Sequence, residues 1–304
     1  MRFFLLFAAL VVGAYGVWAA FKYTRLIANI FVSLVYRPAD ELPLVSRGEK
    51  VNILDSSDRE IEGLLLECQG ASRAVIFCHE SGGAKESWEK YAYFVPALGY
   101  HLLSVDFENG RGEEGKNSLS QWPTREDVER LLVAVRWAKK ALGPDIKIAL
   151  FGVSNGADIA FAASLEDPSV RAVVADGLFS MKEIFRDYIR KWAPVLVRPN
   201  FFGENTPDWV VHLFAGLGFW YSQRRSGRRF VDVEDLMRKP HPPTLMIYGE
   251  TDDYIPSSHR EFLGRAGRSD SVKWLVVPGA GHNESVILGR ESYEKEIMDF
   301  LGRV

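Results

Sequence analysis

The chain opens on an apolar run, Phe3 to Phe21, that contains no charged side chain. At about 1.5 Å per helical residue the run spans roughly 28 Å, close to the hydrocarbon thickness of a bilayer. It predicts a membrane-spanning anchor over residues 1–25. The rival reading is a cleaved signal peptide, because Val17-Trp18-Ala19 places small or aliphatic residues where a peptidase would cut. The run exceeds the usual apolar core of such peptides, and bulky Trp18 and Phe21 crowd its end. Residues 26–45 read as a membrane-proximal segment. Its apolar residues 26–35 either lie along the membrane surface or pack on the domain that follows.

After Pro38 the pattern changes to short β-rich runs alternating with helical segments, which predicts an α/β protein with a mostly parallel sheet. Strands are expected at 50–54, 60–67, 73–78, 101–105, 147–151, 171–175, 244–248 and 272–277. Most of the later ones are near-continuous apolar runs, as in a sheet covered on both faces by helices. Val128, Leu131, Leu132, Val135 and Ala138 fall at helical spacing behind Thr124-x-x-Asp127, so a crossover helix is expected over 124–141. Further helices are expected near 85–96, 156–165, 258–267 and 285–301. Residues 178–240 separate two consecutive strands by far more than a normal crossover and are rich in aromatics, which predicts a helical cap or lid inserted in a domain running from 46 to 302.

Composition narrows the function. Of 304 residues, 47% are hydrophobic and 25% charged, an ordinary globular balance. A net charge of -3 gives no footprint for nucleic acid. Two cysteines, Cys68 and Cys78, are too few for a disulfide framework and lack metal-ligand spacing, so they read as buried thiols. Arg2 and the amino terminus oppose Lys22, Arg25 and Arg37, a small difference that favours a cytoplasmic C-terminal domain and leaves the membrane side open. Nothing in the sequence sets an oligomeric state.

The chemistry centres on Gly152-Val153-Ser154-Asn155-Gly156, which follows the strand Lys147–Phe151 and opens a helix. A serine on so tight a strand-to-helix turn is exposed at the sheet edge, and the flanking glycines relieve crowding between helix and strand. The helix N-terminus adds positive potential where an oxyanion would form. A serine hydroxyl needs a base, and the base needs a partner that fixes its tautomer. The loop Gly249–Pro256 offers Glu250, Asp252 and Asp253, and the glycine-flanked loop Pro278–Glu284 offers His282.

In this order the three motifs resemble the α/β-hydrolase family over residues 50 to 302: Gly-Val-Ser-Asn-Gly, Gly-x-x-Asp-x-x-Ile-Pro and Gly-Ala-Gly-His, each behind a strand. The resemblance implies the α/β-hydrolase fold, with Ser154 as nucleophile and His282 as base. Its register selects Asp252 as the acid, with Asp253 and Glu250 as fallbacks. His79-Glu80-Ser81-Gly82-Gly83 matches the family's oxyanion loop, which implies that the backbone N–H groups of Ser81 and Asn155 hold the oxyanion while His79 orients the loop. Glu80 departs from the usual glycine, and its carboxylate would repel an oxyanion unless turned away or paired.

The expected reaction is hydrolysis of a carboxylic ester, of a hydrophobic or lipid-like kind, through an acyl-enzyme, with no metal or organic cofactor. A thioesterase or serine peptidase would use the same atoms. The competing class is a membrane-tethered interaction protein on a hydrolase scaffold. Arg224, Arg225, Arg228 and Arg229 form a basic cluster in the insertion, read as a solvated loop or a headgroup contact, and Glu108–Gly115 reads as a loop near the site.

Overall fold

Eight strands join in one sheet in the computed structural model, which describes residues 1–33, 47–55, 59–107, 122–266 and 271–303. They are β1 (Glu49–Leu54), β2 (Glu60–Leu66), β3 (Arg73–Cys78), β4 (His101–Val105), β5 (Lys147–Val153), β6 (Val170–Asp176), β7 (Thr244–Gly249) and β8 (Val272–Val277). Every strand expected from the apolar runs forms. The spatial order is β1-β2-β4-β3-β5-β6-β7-β8. The β1–β2 and β2–β4 pairs are antiparallel and all the others parallel. β4, β5 and β7 are buried almost throughout, which is why their sequences lack polar alternation. At the edge, β8 alternates, with Trp274 and Val276 exposed.

The helices are α1 (Arg2–Ser33), α2 (Trp88–Tyr91), α3 (Arg125–Leu142), α4 (Asn155–Ser164), α5 (Met181–Leu196), α6 (Asn200–Glu204), α7 (Asp208–Ser226), α8 (Val233–Leu236), α9 (Ser257–Ala266), α10 (Ser285–Leu288) and α11 (Arg290–Leu301). The start signal of α3 closes as a capping box, since Thr124 Oγ1 accepts from the Asp127 N–H and the Asp127 carboxylate accepts from the Thr124 N–H. Two expected helices are broken. In place of one helix over 85–96, a 3₁₀ turn at Lys85–Ser87, the short α2 and a 3₁₀ turn at Pro96–Leu98 follow one another. Pro96 cannot donate to the Ala92 carbonyl, and burial of Trp88, Tyr91, Phe94 and Val95 in the core overrides helical spacing. The segment 285–301 divides at Gly289, where an added Cβ would lie 2.5 Å from Val277 Cγ1.

The chain forms two compact units, Met1–Leu34 with Met181–Arg228, and Val35–Ser180 with Arg229–Val304. The second holds the sheet. The part of the long insertion that clusters with α1 is therefore Met181–Arg228, while residues 229–240 belong with the sheet; Phe230 forms a β-bridge to Thr124. In the first unit α1 continues without a break through residue 33 rather than ending near residue 25. Its buried Thr24 and Ala28 belong to the stretch that packs on α7. An added Cβ on Gly218 of α7 would lie 2.9 Å from Ile27 Cγ2 and 3.2 Å from Phe185, so this glycine sets a close helix crossing. Within Phe3–Asn29 an 18-residue stretch has a mean hydropathy of 2.1, so the helix is long and apolar enough to cross a membrane, a pattern that a signal sequence also meets. The linker at 34–45 and the loop Glu108–Gly115 lie outside the described residues.

Candidate active site

The Ser154 turn joins β5 to α4 at the C-terminal edge of the sheet. Its backbone sits at φ 51°, ψ -117°, a region that non-glycine residues rarely adopt. Neighbouring structure holds it there. The Ser154 N–H donates to Asp176 O at 2.7 Å, and Ser154 O accepts from the Ala157 N–H at 2.9 Å. An added Cβ on Gly152 would meet Gly156 O at 2.1 Å, and one on Gly156 would meet Cys78 O at 2.2 Å. Strand, helix and the end of β3 therefore approach more closely than any side chain permits.

His282 lies beside this serine, its Nε2 3.0 Å from Ser154 Oγ. Its Nδ1–H donates to Asp252 Oδ2 at 2.8 Å, leaving Nε2 with a lone pair toward the hydroxyl. Asp252 Oδ1 accepts from the N–H groups of Tyr254 and Ile255, both at 2.8 Å, so the carboxylate is held at both ends. Asp252 is buried and Asp253 exposed. Glu250 instead accepts from the Gly279 N–H. The acid and histidine loops are tied together, the Thr251 N–H donating to Ala280 O at 2.9 Å. An added Cβ on Gly249 would lie 2.3 Å from that same oxygen.

The loop after β3 is fixed by His79, which is fully buried. Its Nε2 accepts from the Phe107 N–H at 3.1 Å, so the proton sits on Nδ1, which donates to Glu80 O at 2.7 Å. Both ring nitrogens are used, so His79 positions the loop. Farther along, Lys85 N–H donates to Asp106 Oδ1 at 2.6 Å and its ammonium pairs with Asp106 and Glu62. Ser81 and Asn155 are both buried, and Asn155 opens α4, where backbone N–H groups have no partner within the helix. Glu80 is buried with its side chain folded over its own loop, Oε2 lying 2.7 Å from where a Cβ on Gly83 would be.

Sequence reasoning missed a second carboxylate. Asp176 ends β6, fully buried, and its Oδ2 accepts from the Tyr293 hydroxyl at 3.0 Å. Burial pushes it up to about 7, against the lowering effects of the Tyr293 hydroxyl and His282, and with a contribution from the charge of Asp252. A carboxylate at the C-terminal end of an apolar strand, Asp176 followed by Gly177, was the available signal. Asp158, one turn after Ser154, is likewise held well above the carboxylate range by burial, its Oδ1 accepting from the Phe179 N–H at 3.0 Å. Cys78 is a buried thiol raised by desolvation, whereas Cys68 is half-buried. Among the described residues, no group of three or more His, Cys, Asp or Glu is placed to hold a metal ion.

The raised Asp176 has a consequence for stability. The unfolded carboxyl titrates near 3.8 and the folded one near 7, so between these values the folded chain keeps a proton that the unfolded chain has released. Stability contributed at this site is present at low pH and lost as pH rises through that window. Asp176→Asn removes the titration, and the amide oxygen can still accept from Tyr293. The variant is expected to gain in melting temperature on the parent between pH 5 and pH 8; an unchanged difference would show that Asp176 does not titrate there.

A sheet of this topology, with a serine elbow and an Asp–His pair on successive strand-end loops, defines an α/β scaffold of the hydrolase type. A family model described as the alpha/beta hydrolase family matches residues 75–296, and the chain belongs to that family. An uncharacterised protein of Mycobacterium tuberculosis is 24% identical over 220 residues, 72% of this chain and 66% of its own length, just under two thirds. A pyrrolizixenacetamide deacetylase of Xenorhabdus hominickii is 24% identical over 71% of this chain and 87% of its own. Among solved structures, an esterase of Pyrococcus furiosus superposes with a TM-score of 0.63 at 18% identity, covering 89% of this chain and 98% of the esterase. That likeness concerns the fold.

Proposed function

We propose that this hydrolase is a serine esterase that cleaves a carboxylic ester of a hydrophobic, lipid-like substrate through an acyl-enzyme, tethered to a membrane by α1. The observation that carries the reading is the continuous hydrogen-bond chain Ser154 Oγ, His282, Asp252, at 3.0 and 2.8 Å. Ser154 Oγ attacks the carbonyl carbon while its proton passes to His282 Nε2. Asp252 stabilises the imidazolium through Nδ1–H. The backbone N–H groups of Ser81 and Asn155 receive the oxyanion. His282 then gives its proton to the departing alkoxide, leaving Ser154 acylated. A water, deprotonated by His282, attacks the acyl carbon and releases the acid, and the proton returns to Ser154.

An amide-cleaving version of the same cycle, with an amine departing, draws support from the similarity to a deacetylase. The test is a fluorophosphonate probe on the full chain. Wild type is expected to be labelled and Ser154→Ala not, and an ester series is expected to turn over faster than matched amides, improving with acyl length. Well-folded wild type that resists the probe would replace this reading with that of a non-catalytic interaction protein.

A further inference from the structure

The first unit contains a cavity of about 440 Å³. On one side it is lined by Tyr15, Gly16, Ala19 and Tyr23 of α1, which share one helical face. On the other it is lined by α5, α6 and the start of α7, including Trp192 and Phe202. Its lining side chains carry no formal charge. The Thr206 hydroxyl at its rim is already used, donating to Phe202 O and Gly203 O at 3.0 and 2.9 Å. A Cβ added to Gly16 meets nothing within 4 Å, so the floor is open.

Depth follows from α1 itself. Lys22 lies over the rings of Trp18 and Tyr23, and Arg25 over Phe21. Aromatics interleaved with the first cations after an apolar run mark the level of the membrane–water boundary. The Tyr15 hydroxyl donates to Arg198 O at 3.1 Å, which ties the α5–α6 turn to α1. Tyr15 lies about 10 Å along the helix axis on the apolar side of Lys22. At that turn Phe201 and Phe202 are 67% and 60% exposed, and Trp209 at the start of α7 is 68% exposed. In water such a cluster is an aggregation liability, whereas at hydrocarbon depth it is solvated. The Arg198 guanidinium on the same turn is held locally by Val197 O and Asn200 Oδ1.

We infer that α1 and helices α5–α7 form a lipid site, with the α5–α6 turn dipped into the leaflet and one acyl chain of a bilayer lipid lying in the cavity along Tyr15–Ile27. The inference rests on the reading of α1 as a membrane anchor and is independent of catalysis at Ser154. The uncharged lining and ligand-sized volume suit an acyl chain.

The experiment places the full chain in phosphatidylcholine vesicles containing a lipid with a diazirine on its acyl chain, and maps adducts by mass spectrometry after irradiation. Adducts are expected on the cavity residues Ile189, Ala193 and Phe214 as well as on the outer face of α1. Ala19→Trp, and separately Val210→Trp, should fill the cavity and cut the first set at least tenfold while leaving the second set and fluorophosphonate labelling of Ser154 unchanged. Adducts confined to the outer face of α1, or cross-links there between two copies of the chain, would overturn the site while leaving the anchor intact. Release of the chain from vesicles by carbonate would overturn anchor and site together.

Discussion

His282→Ala is expected to lower kcat for an activated ester by about 10⁶-fold, and the double variant Ser154→Ala/His282→Ala to be no slower than either single one. The two groups act on one proton, transferred across the 3.0 Å between Oγ and Nε2, so removing either removes the step. Asp252→Asn is expected to cost about 10⁴-fold, and the local geometry gives the reason. The N–H groups of Tyr254 and Ile255 both point at Oδ1, so an asparagine keeps its amide oxygen on their side and turns its NH₂ toward His282. That donor forces the histidine proton onto Nε2, where the lone pair is needed. Asp253→Asn, at an exposed position, should leave kcat within twofold. Stopped-flow hydrolysis of a nitrophenyl ester series reads all five variants, the Ser154→Ala single one included. Losses that simply multiply in the double variant, or a larger effect at Asp253 than at Asp252, would sink the assignment.

The legibility of these residues differs from element to element for physical reasons. The central strands β3 to β7 were readable because they are buried almost throughout, so each apolar run is a direct imprint of its environment, whereas β1, β2 and β8 keep exposed positions. Ser154 and Asp252 were readable because their turns demand glycine at fixed offsets, and Gly152, Gly156 and Gly249 each face backbone where a Cβ would stand. The break of the helix expected over 85–96 was hidden. Trp88, Tyr91 and Val95 satisfy helical spacing, and only their packing in the core and Pro96 decide otherwise. Asp176 and Asp158 were hidden for the opposite reason. An acid on a helix, such as Asp158, looks in sequence like any surface carboxylate, and the strand-end position of Asp176 is a signal that only burial and the partner Tyr293 make specific. The end of α1 was also illegible, since charges at Lys22 and Arg25 suggest a stop that a packed partner, α7, removes.

Gly156→Ala is expected to destabilise the sheet-bearing unit by about 4 kcal/mol or more, at the far end of single-substitution effects. The new methyl would lie 2.2 Å from Cys78 O and 2.6 Å from His79 O, both backbone atoms that no side-chain rotation can move. Cys78 is in register with Gly152 on β5 and with Val105 on β4, so giving way means displacing the end of β3 against two neighbours. The alternative, a shift of α4, would pull the Ser154 turn away from the His79–Ser81 loop and lose the positioning of the N–H groups assigned to the oxyanion. Either relaxation couples stability to chemistry. For a domain of this size each kcal/mol moves the melting temperature by about 2–4 °C, so a fall of about 8–16 °C is expected, together with loss of fluorophosphonate labelling in whatever remains folded. Gly70→Ala is the matched control. Gly70 has φ +76° but nothing within 4 Å of its added Cβ, so only backbone strain of about 1–2 kcal/mol should appear. A Gly156→Ala variant that melts with the Gly70→Ala variant would show that steric contact at the elbow does not hold β3, β5 and α4 in place.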